Sequence, residues 1–264
     1  MAMKSWKEFL TPYEQAVSEL KVKLRSIRKE YRRKNEYSPI EFVTGRVKEV
    51  SSILEKANKY SIPIDRLQYE MEDIAGIRIM CQFVDDIEFV VELIRQRKDM
   101  QILYEKDYVT NVKASGYRSY HVVIKYPVNM AEGQIEILAE FQIRTLAMNF
   151  WATIEHSLNY KYKKNVPEDI KHKLKSAADA AFTLDEEMLE IKDEIKDAQK
   201  LFEIKSDIIT NIMNDILTLI SIGKIAEASR YQMSLNKLIE EGEVWELNNL
   251  LHAVQRDIDK FKEM

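Results

Sequence analysis

Two acidic residues and one glycine-centred loop offer most of the chemistry in this sequence. Asp73 stands just before the apolar run "IAGIRIMCQF" (74–83), and Glu140 lies within "IEILAEFQIRT" (135–145). At the two-residue period of a strand, Ile135, Ile137, Ala139, Phe141 and Ile143 share one face, and Glu136, Leu138, Glu140, Gln142 and Arg144 share the other. A water-facing antiparallel sheet accounts for such a polar row on its own. Two carboxylates, one just before a strand and one on a second strand, offer more. A hard divalent cation such as Mg2+ takes oxygen ligands, commonly one or two carboxylates together with substrate phosphates. Asp73 and Glu140 are the candidate pair.

The loop is "SGYRSYH" (115–121), in a chain with six glycines. Gly116 allows a tight turn. Tyr117 offers a flat face for a base, a contact worth roughly 1–3 kcal/mol. His121 begins the next strand and can meet a phosphate or hydroxyl, while Tyr120, alternating with it, points to the core. A surface tyrosine or an ordinary strand histidine explains each residue taken alone. Arg46, Lys48, Lys56, Arg78, Lys113 and Arg144 are the cations available to balance phosphate oxygens.

These residues need a scaffold. Apolar residues recur at helical spacing from Trp6 to Lys34, and Pro39 disfavours helix in the residue before it. Segment 40–48 reads as extended, 49–61 as helix, 74–83 as a buried strand and 85–99 as a helix with an acidic start. Three further strands follow, at "QILYEKDYV", "YHVVIKYPV" and 135–145, with 110–119 a loop. Alternating strands and helices predict an α+β fold with a mixed sheet flanked by helices. From Leu146 the chain turns helical: one helix over 146–163, a long charged one opened by Pro167, and two or three segments over 206–264 broken at Gly223 and Gly242. The expected division is 1–200 for the main domain and 201–264 for a helical C-terminal extension.

Composition closes several routes. One cysteine, Cys81, leaves no intramolecular disulfide and no cysteine-cluster zinc site. It reads as a small buried hydrophobe. No run is long and apolar enough to span a bilayer, and "MAMKSWKEFL" lacks the apolar centre of a signal peptide, so a cytoplasmic protein with no membrane partner is expected. Net charge is −4, yet "KVKLRSIRKEYRRK" (21–34) holds eight basic residues and one acid. That stretch is a solvated helix face or an anion site.

Taken together, "EFVTGRVK", "EDIAGIRI", "SGYRSYH" and "EFQIRTLAMNFWATIEHSLNYKYK" resemble the RelA/SpoT synthetase domain, and most closely the RelQ-type small alarmone synthetases, over about residue 5 to about residue 200. The resemblance implies a nucleotidyltransferase-like fold and an ATP:GTP 3′-pyrophosphotransferase. Such an enzyme moves the β,γ-pyrophosphate of ATP to the 3′-hydroxyl of GDP or GTP, makes (p)ppGpp and releases AMP. It further implies Asp73 and Glu140 as Mg2+ carboxylates, Arg46 and Arg78 around the adenine, and Lys48 and Lys56 on the ATP phosphates. Lys113, Tyr117, His121, Gln142 and Asn149 fall on the acceptor side, with Tyr117 stacking on guanine. A homotetramer activated by (p)ppGpp is implied as well, with Lys21, Arg25, Arg28, Phe42 and Thr44 where such an effector cleft would draw its residues. His121, His156, His172 and His252 are followed by Val, Ser, Lys and Ala, so the His–Asp motif of the hydrolase domain is missing and product hydrolysis is not expected. Two rival readings stand beside this: a tRNA 3′-end pyrophosphokinase, and an RNA-binding regulator with a decayed active site.

Overall fold

The computed structural model describes residues 5–162 and 166–262. Helix α1 (Trp6–Arg33) starts at Ser5, whose hydroxyl accepts from the Glu8 N–H, and buries Tyr13, Ala16, Val17, Leu20 and Leu24 along one stripe. Then come β1 (Phe42–Val47), α2 (Val50–Tyr60), a single 3-10 turn (Ile64–Arg66), α3 (Leu67–Glu70), β2 (Ala75–Cys81) and α4 (Asp85–Arg95). Strands β3 (Gln101–Asp107), β4 (Tyr120–Met130) and β5 (Gly133–Thr145) complete the sheet, and α5 (Leu146–Lys161), α6 (Glu168–Ser221), α7 (Ile225–Glu241) and α8 (Val244–Lys262) follow.

The sheet has five strands in the order β1-β2-β5-β4-β3. Only the β2–β5 pair is parallel; the other neighbours are antiparallel. The register therefore aligns one polar row across all strands: Thr44, Arg78, Gln142, His121 and Lys106. Beside it runs a second row: Arg46, Gly76, Glu140, Val123 and Tyr104. The opposite face carries Ile77, Ile79, Cys81, Ala139, Phe141 and Ile143, all fully buried in one cluster with the apolar stripes of α1 and α4. The polar row of β5 thus has an apolar reverse side that anchors the strand, and Cys81 is the small buried hydrophobe expected from its setting.

The helical part departs from the sequence expectation at one place. The charged helix runs unbroken from Glu168 to Ser221, because no proline or glycine interrupts it before Gly223, which takes a positive φ of 79°. The first expected segment of the extension is therefore the same helix as the charged one. Two compact units are found, one ending at Leu189 and the other beginning at Glu190, so the division falls inside α6. The second unit has its own core of Ile208, Ile212, Ile216, Leu219, Tyr231, Leu235, Leu247, Val254 and Ile258 from α6, α7 and α8. Lys163, the last residue of the expected helix 146–163, lies outside the described residues. Among the described residues no helix is long and apolar enough to cross a membrane.

Candidate active site

Parallel pairing of β2 with β5 puts Gly76 opposite Glu140, and Asp73 lies three residues before Gly76. Asp73 and Glu140 consequently line one cavity of about 230 Å3, together with Thr44, Gly45, Arg46, Gly76, Arg78 and Gln142. Gly76 leaves this floor open: a Cβ there would have a single neighbour within 4 Å, the Arg46 carbonyl at 3.9 Å.

Asp73 is held by two ammonium groups, Lys48 Nζ at 2.8 Å from Oδ2 and Lys56 Nζ at 2.9 Å from Oδ1. Burial pushes its carboxyl up, but the hydrogen bonds and charges of Lys48 and Lys56 outweigh burial and keep it below the ordinary range. Lys48 thus engages one carboxylate oxygen of Asp73 and Lys56 the other. Glu140 is opposed by burial and held ionised by His121 and Gln142, which again leave its carboxyl below the usual value. Its Oε1 lies 2.8 Å from His121 Nδ1, and its Oε2 accepts from Gln142 Nε2 at 2.7 Å. Among the described residues no group of three or more His, Cys, Asp or Glu side chains gathers as a metal cluster. Two ionised carboxylates lining one cavity fit a hard cation that takes its other ligands from phosphates and water, as Mg2+ does.

The acceptor loop is built on a turn. Gly116 N–H donates to Lys113 O at 2.8 Å, and Gly116 takes φ 87°. The glycine has a second reason. A Cβ there would lie 2.6 Å from Ala178 Cβ on α6, so the loop backs directly onto that helix. Arg118 reinforces the seat, lying over the Phe182 ring at 4.2 Å and donating to Ala178 O at 3.5 Å. Tyr117 is locked by its hydroxyl, which lies 2.8 Å from His121 Nε2 and accepts from Arg144 Nη2 at 2.6 Å. Arg144 also reaches Gln142 Oε1 at 2.9 Å and Ser119 Oγ at 3.2 Å. One polar chain therefore runs from Glu140 through His121 to Tyr117 and Arg144 and back through Gln142. Lys113 Nζ lies over the Tyr117 ring at 4.7 Å, and burial lowers its ammonium pKa.

Arg46 and Arg78 line the carboxylate cavity, and burial with the nearby Arg144 and Arg46 charges lowers the Arg78 guanidinium pKa. A second cavity, of about 780 Å3, adjoins Arg46, Lys48 and Lys56 and is closed on its other side by Glu155, His156 and Asn159 of α5. Burial and then Arg46 and Arg78 push the His156 imidazole below its usual pKa. Asn149, also on α5, has its side-chain oxygen buried without a partner and makes no hydrogen bond to the Glu140–Tyr117 chain. Tyr120 packs in the core, its hydroxyl on Glu105.

Of the expected effector residues, Lys21, Arg25 and Arg28 lie on α1, which packs on the Val43–Gly45 side of β1; Lys21 Cδ would be 3.1 Å from a Cβ at Gly45. Arg25 donates to Val43 O and Arg28 to Glu41. Strand alternation turns Phe42 and Thr44 to the other side, and Thr44 lines the carboxylate cavity itself. Gly76, Tyr108, His156 and Arg144's role as the clamp of Tyr117 escaped the sequence reading. Gly76 had a findable signal, a glycine in mid-strand.

Residues 45–165 match the family described as the region found in RelA / SpoT proteins. The GTP pyrophosphokinase YjbM of Bacillus subtilis is 57% identical over 202 residues, 76% of this chain and 95% of that one. The fold matches the crystal structure of small alarmone synthetase 1 from Bacillus subtilis bound to its product pppGpp, with a TM-score of 0.70 and 58% identity over 72% of this chain and 97% of that one. The same enzyme bound to AMPCPP matches with a TM-score of 0.65 and 54% identity, over 72% of this chain and 97% of that one. The carboxylate pair on a mixed sheet and the sequence likeness across nearly the whole of these relatives agree, and the chain belongs to the small alarmone synthetases of the RelA/SpoT family.

Proposed function

We propose that this chain moves the β,γ-pyrophosphoryl group of ATP to the 3′-hydroxyl of GDP or GTP. The 3′ oxygen attacks the β-phosphorus, the bond from that phosphorus to the α,β-bridging oxygen breaks, the hydroxyl proton is lost, and AMP leaves with the bridging oxygen. The observation that carries the reading is the single cavity shared by Asp73 and Glu140, with Lys48 and Lys56 on the first acid and His121 on the second. Such transfer depends on positioning and charge balance more than on covalent help from the protein.

Bound at Asp73 and Glu140, Mg2+ supplies neutralisation of phosphate charge in the transition state. The chain's own residues do the rest. Arg46 and Arg78 flank the adenine; Lys48 and Lys56 exchange part of their hold on Asp73 for phosphate oxygens. Tyr117 stacks on the acceptor base, Lys113 and His121 face its ribose and phosphates, and Gln142 fixes Glu140. Asn149 would offer the acceptor its buried, unpartnered side-chain oxygen. Residues 1–200 carry this reaction and 201–264 form an appended helical part. The reading extends to a cytoplasmic homotetramer with (p)ppGpp as its activator. An effector that touches Lys21, Arg25 and Arg28 as well as Phe42 and Thr44 must reach around the β1 edge or draw the two groups from different protomers.

The test is chromatographic separation of products from γ-labelled ATP incubated with GDP, GTP or tRNA, with and without magnesium. Labelled (p)ppGpp in the nucleotide lanes, dependent on magnesium, is the expected result. Label on tRNA alone overturns the acceptor assignment. No transfer to any acceptor overturns the enzyme and favours an RNA-binding role for the basic helix.

A further inference from the structure

Tyr108 sits one residue beyond β3, where its N–H donates to Ser119 O at 3.0 Å and extends the β3–β4 ladder to the mouth of the acceptor loop. Its ring meets that of Tyr117 edge to face, with centroids 6.2 Å and planes 66° apart, and meets His121 in the same manner at 5.3 Å and 89°. Lys113 Nζ lies over both tyrosine rings, 4.2 Å from the Tyr108 centroid and 4.7 Å from that of Tyr117. Two aromatic faces set at a steep angle, with one ammonium against both, form a corner with π walls. A flat heteroaromatic ring that stacks on one wall presents its electropositive edge to the face of the other, the geometry aromatic pairs prefer. His121, which meets the Tyr108 ring, also holds Glu140, so the corner adjoins the residues where the transfer would take place.

We propose that Tyr108 is the second wall of the acceptor-base subsite. The guanine lodges in the Tyr108–Tyr117 corner, and the Lys113 ammonium turns from the two rings towards the acceptor's phosphates. This rests on the reaction proposed above. It adds a binding residue that neither spacing nor strand alternation singles out, because Tyr108 follows the strand and meets Tyr117 only through the ladder.

Calorimetric titration of the full chain with GDP, and separately with the ATP analogue AMPCPP, tests it. Tyr108→Leu is expected to weaken GDP binding by about 5- to 10-fold, the upper part of the range that one edge-to-face aromatic contact gives. AMPCPP affinity is expected to stay within about twofold of wild type, and Tyr108→Phe, which keeps the ring, to bind GDP within about threefold. Unchanged GDP binding in the leucine variant overturns the proposal. So does an equal loss of GDP and AMPCPP, which marks a structural residue, and so does a phenylalanine variant as weak as the leucine one, which marks the hydroxyl. A wild-type chain that binds AMPCPP but no GDP overturns the guanosine acceptor and the corner with it, whereas normal wild-type binding with an unaffected Tyr108→Leu removes the corner alone.

Discussion

The imidazole of His121 lies 2.8 Å from the carboxylate of Glu140, Nδ1 to Oε1, across the β4–β5 pair. His121 stands opposite Gln142 in the ladder, one pleat along from Glu140, so its ring leans over to the acid while Nε2 reaches Tyr117. One side chain thereby ties a proposed metal ligand to the proposed base-stacking residue.

His121→Phe is expected to undo both ends of that tie. Burial already pushes the Glu140 carboxyl up, and His121 is the leading cause that holds it down. A depressed carboxyl stabilises the fold above its unfolded pKa of about 4.3, and that contribution is lost as pH falls through the lower folded value. Without His121 the folded value rises, so the loss sets in at higher pH. Urea midpoints measured from pH 3 to 7 should show the variant weakening earlier on acidification than wild type. The acceptor KM should rise more than the ATP KM, by roughly 10-fold, the scale of one lost charge-assisted hydrogen bond. Parallel acid curves for the two proteins would count against the tie.

Asp73→Asn removes the charge that pairs with Lys48 and Lys56. The amide keeps the shape but leaves two ammonium groups facing a neutral partner. Transfer activity is expected to fall by roughly 1,000-fold, at the upper end of what loss of one preorganised electrostatic contact gives. All three side chains are partly exposed, so stability should drop by only about 1 kcal/mol. Acid dependence is again informative: burial raises and the two lysines lower the Asp73 carboxyl, with the lysines prevailing. The wild type therefore owes stability to this acid above pH about 4 and loses it as pH falls further. That slope should be absent in the variant, measured by thermal melts at pH 3, 4, 5 and 7.

How much of this was legible in the sequence can be judged residue by residue. Period two on β5 placed Glu140, Gln142 and Arg144 on one face, because an apolar reverse side fixes a strand's orientation. The order of strands was not legible. Nothing local says that β2 pairs in parallel with β5, and it is this pairing that brings Asp73 to Glu140. That Thr44 stands beside the carboxylates was not legible either: its place depends on β1 lying antiparallel to β2, with Thr44 opposite Arg78. The unbroken α6 was underestimated because charge-rich composition over 168–205 and apolar periodicity beyond it look like different elements, though neither stops a helix.

Gly116→Ala should weaken the acceptor loop through two separable effects. Its φ of 87° disfavours any side chain, and the new methyl would lie 2.6 Å from Ala178 Cβ. Together they are expected to cost about 1–3 kcal/mol, as overpacking and left-handed strain usually do. Adding Ala178→Gly removes the methyl clash and leaves the strain, so the double variant should recover part of the loss despite a glycine in mid-helix. A double-mutant cycle on GDP affinity and melting temperature isolates the coupling. Strict additivity would mean that the loop does not rest on α6 at this point.

Asp185 offers a test with the opposite sign. It lies buried on α6, accepts from Thr145 Oγ1 at 2.6 Å, and Thr145 in turn accepts from the Met148 N–H at the start of α5. Burial pushes its carboxyl up to about 6, against the hydrogen bond from Thr145 and the charge of Arg118, which both lower it. A carboxyl raised on folding binds its proton more tightly in the native state. It therefore costs stability above pH 6, and the cost fades as pH falls from 6 towards the unfolded value of about 4. Asp185→Asn preserves an acceptor for Thr145 without the charge. It is expected to stabilise the chain by about 1–2 kcal/mol at pH 8 and by much less at pH 5, followed by urea unfolding at both values. A variant less stable than wild type at pH 8 would show that the ionised carboxylate is satisfied where it sits, with Arg118 outweighing its burial.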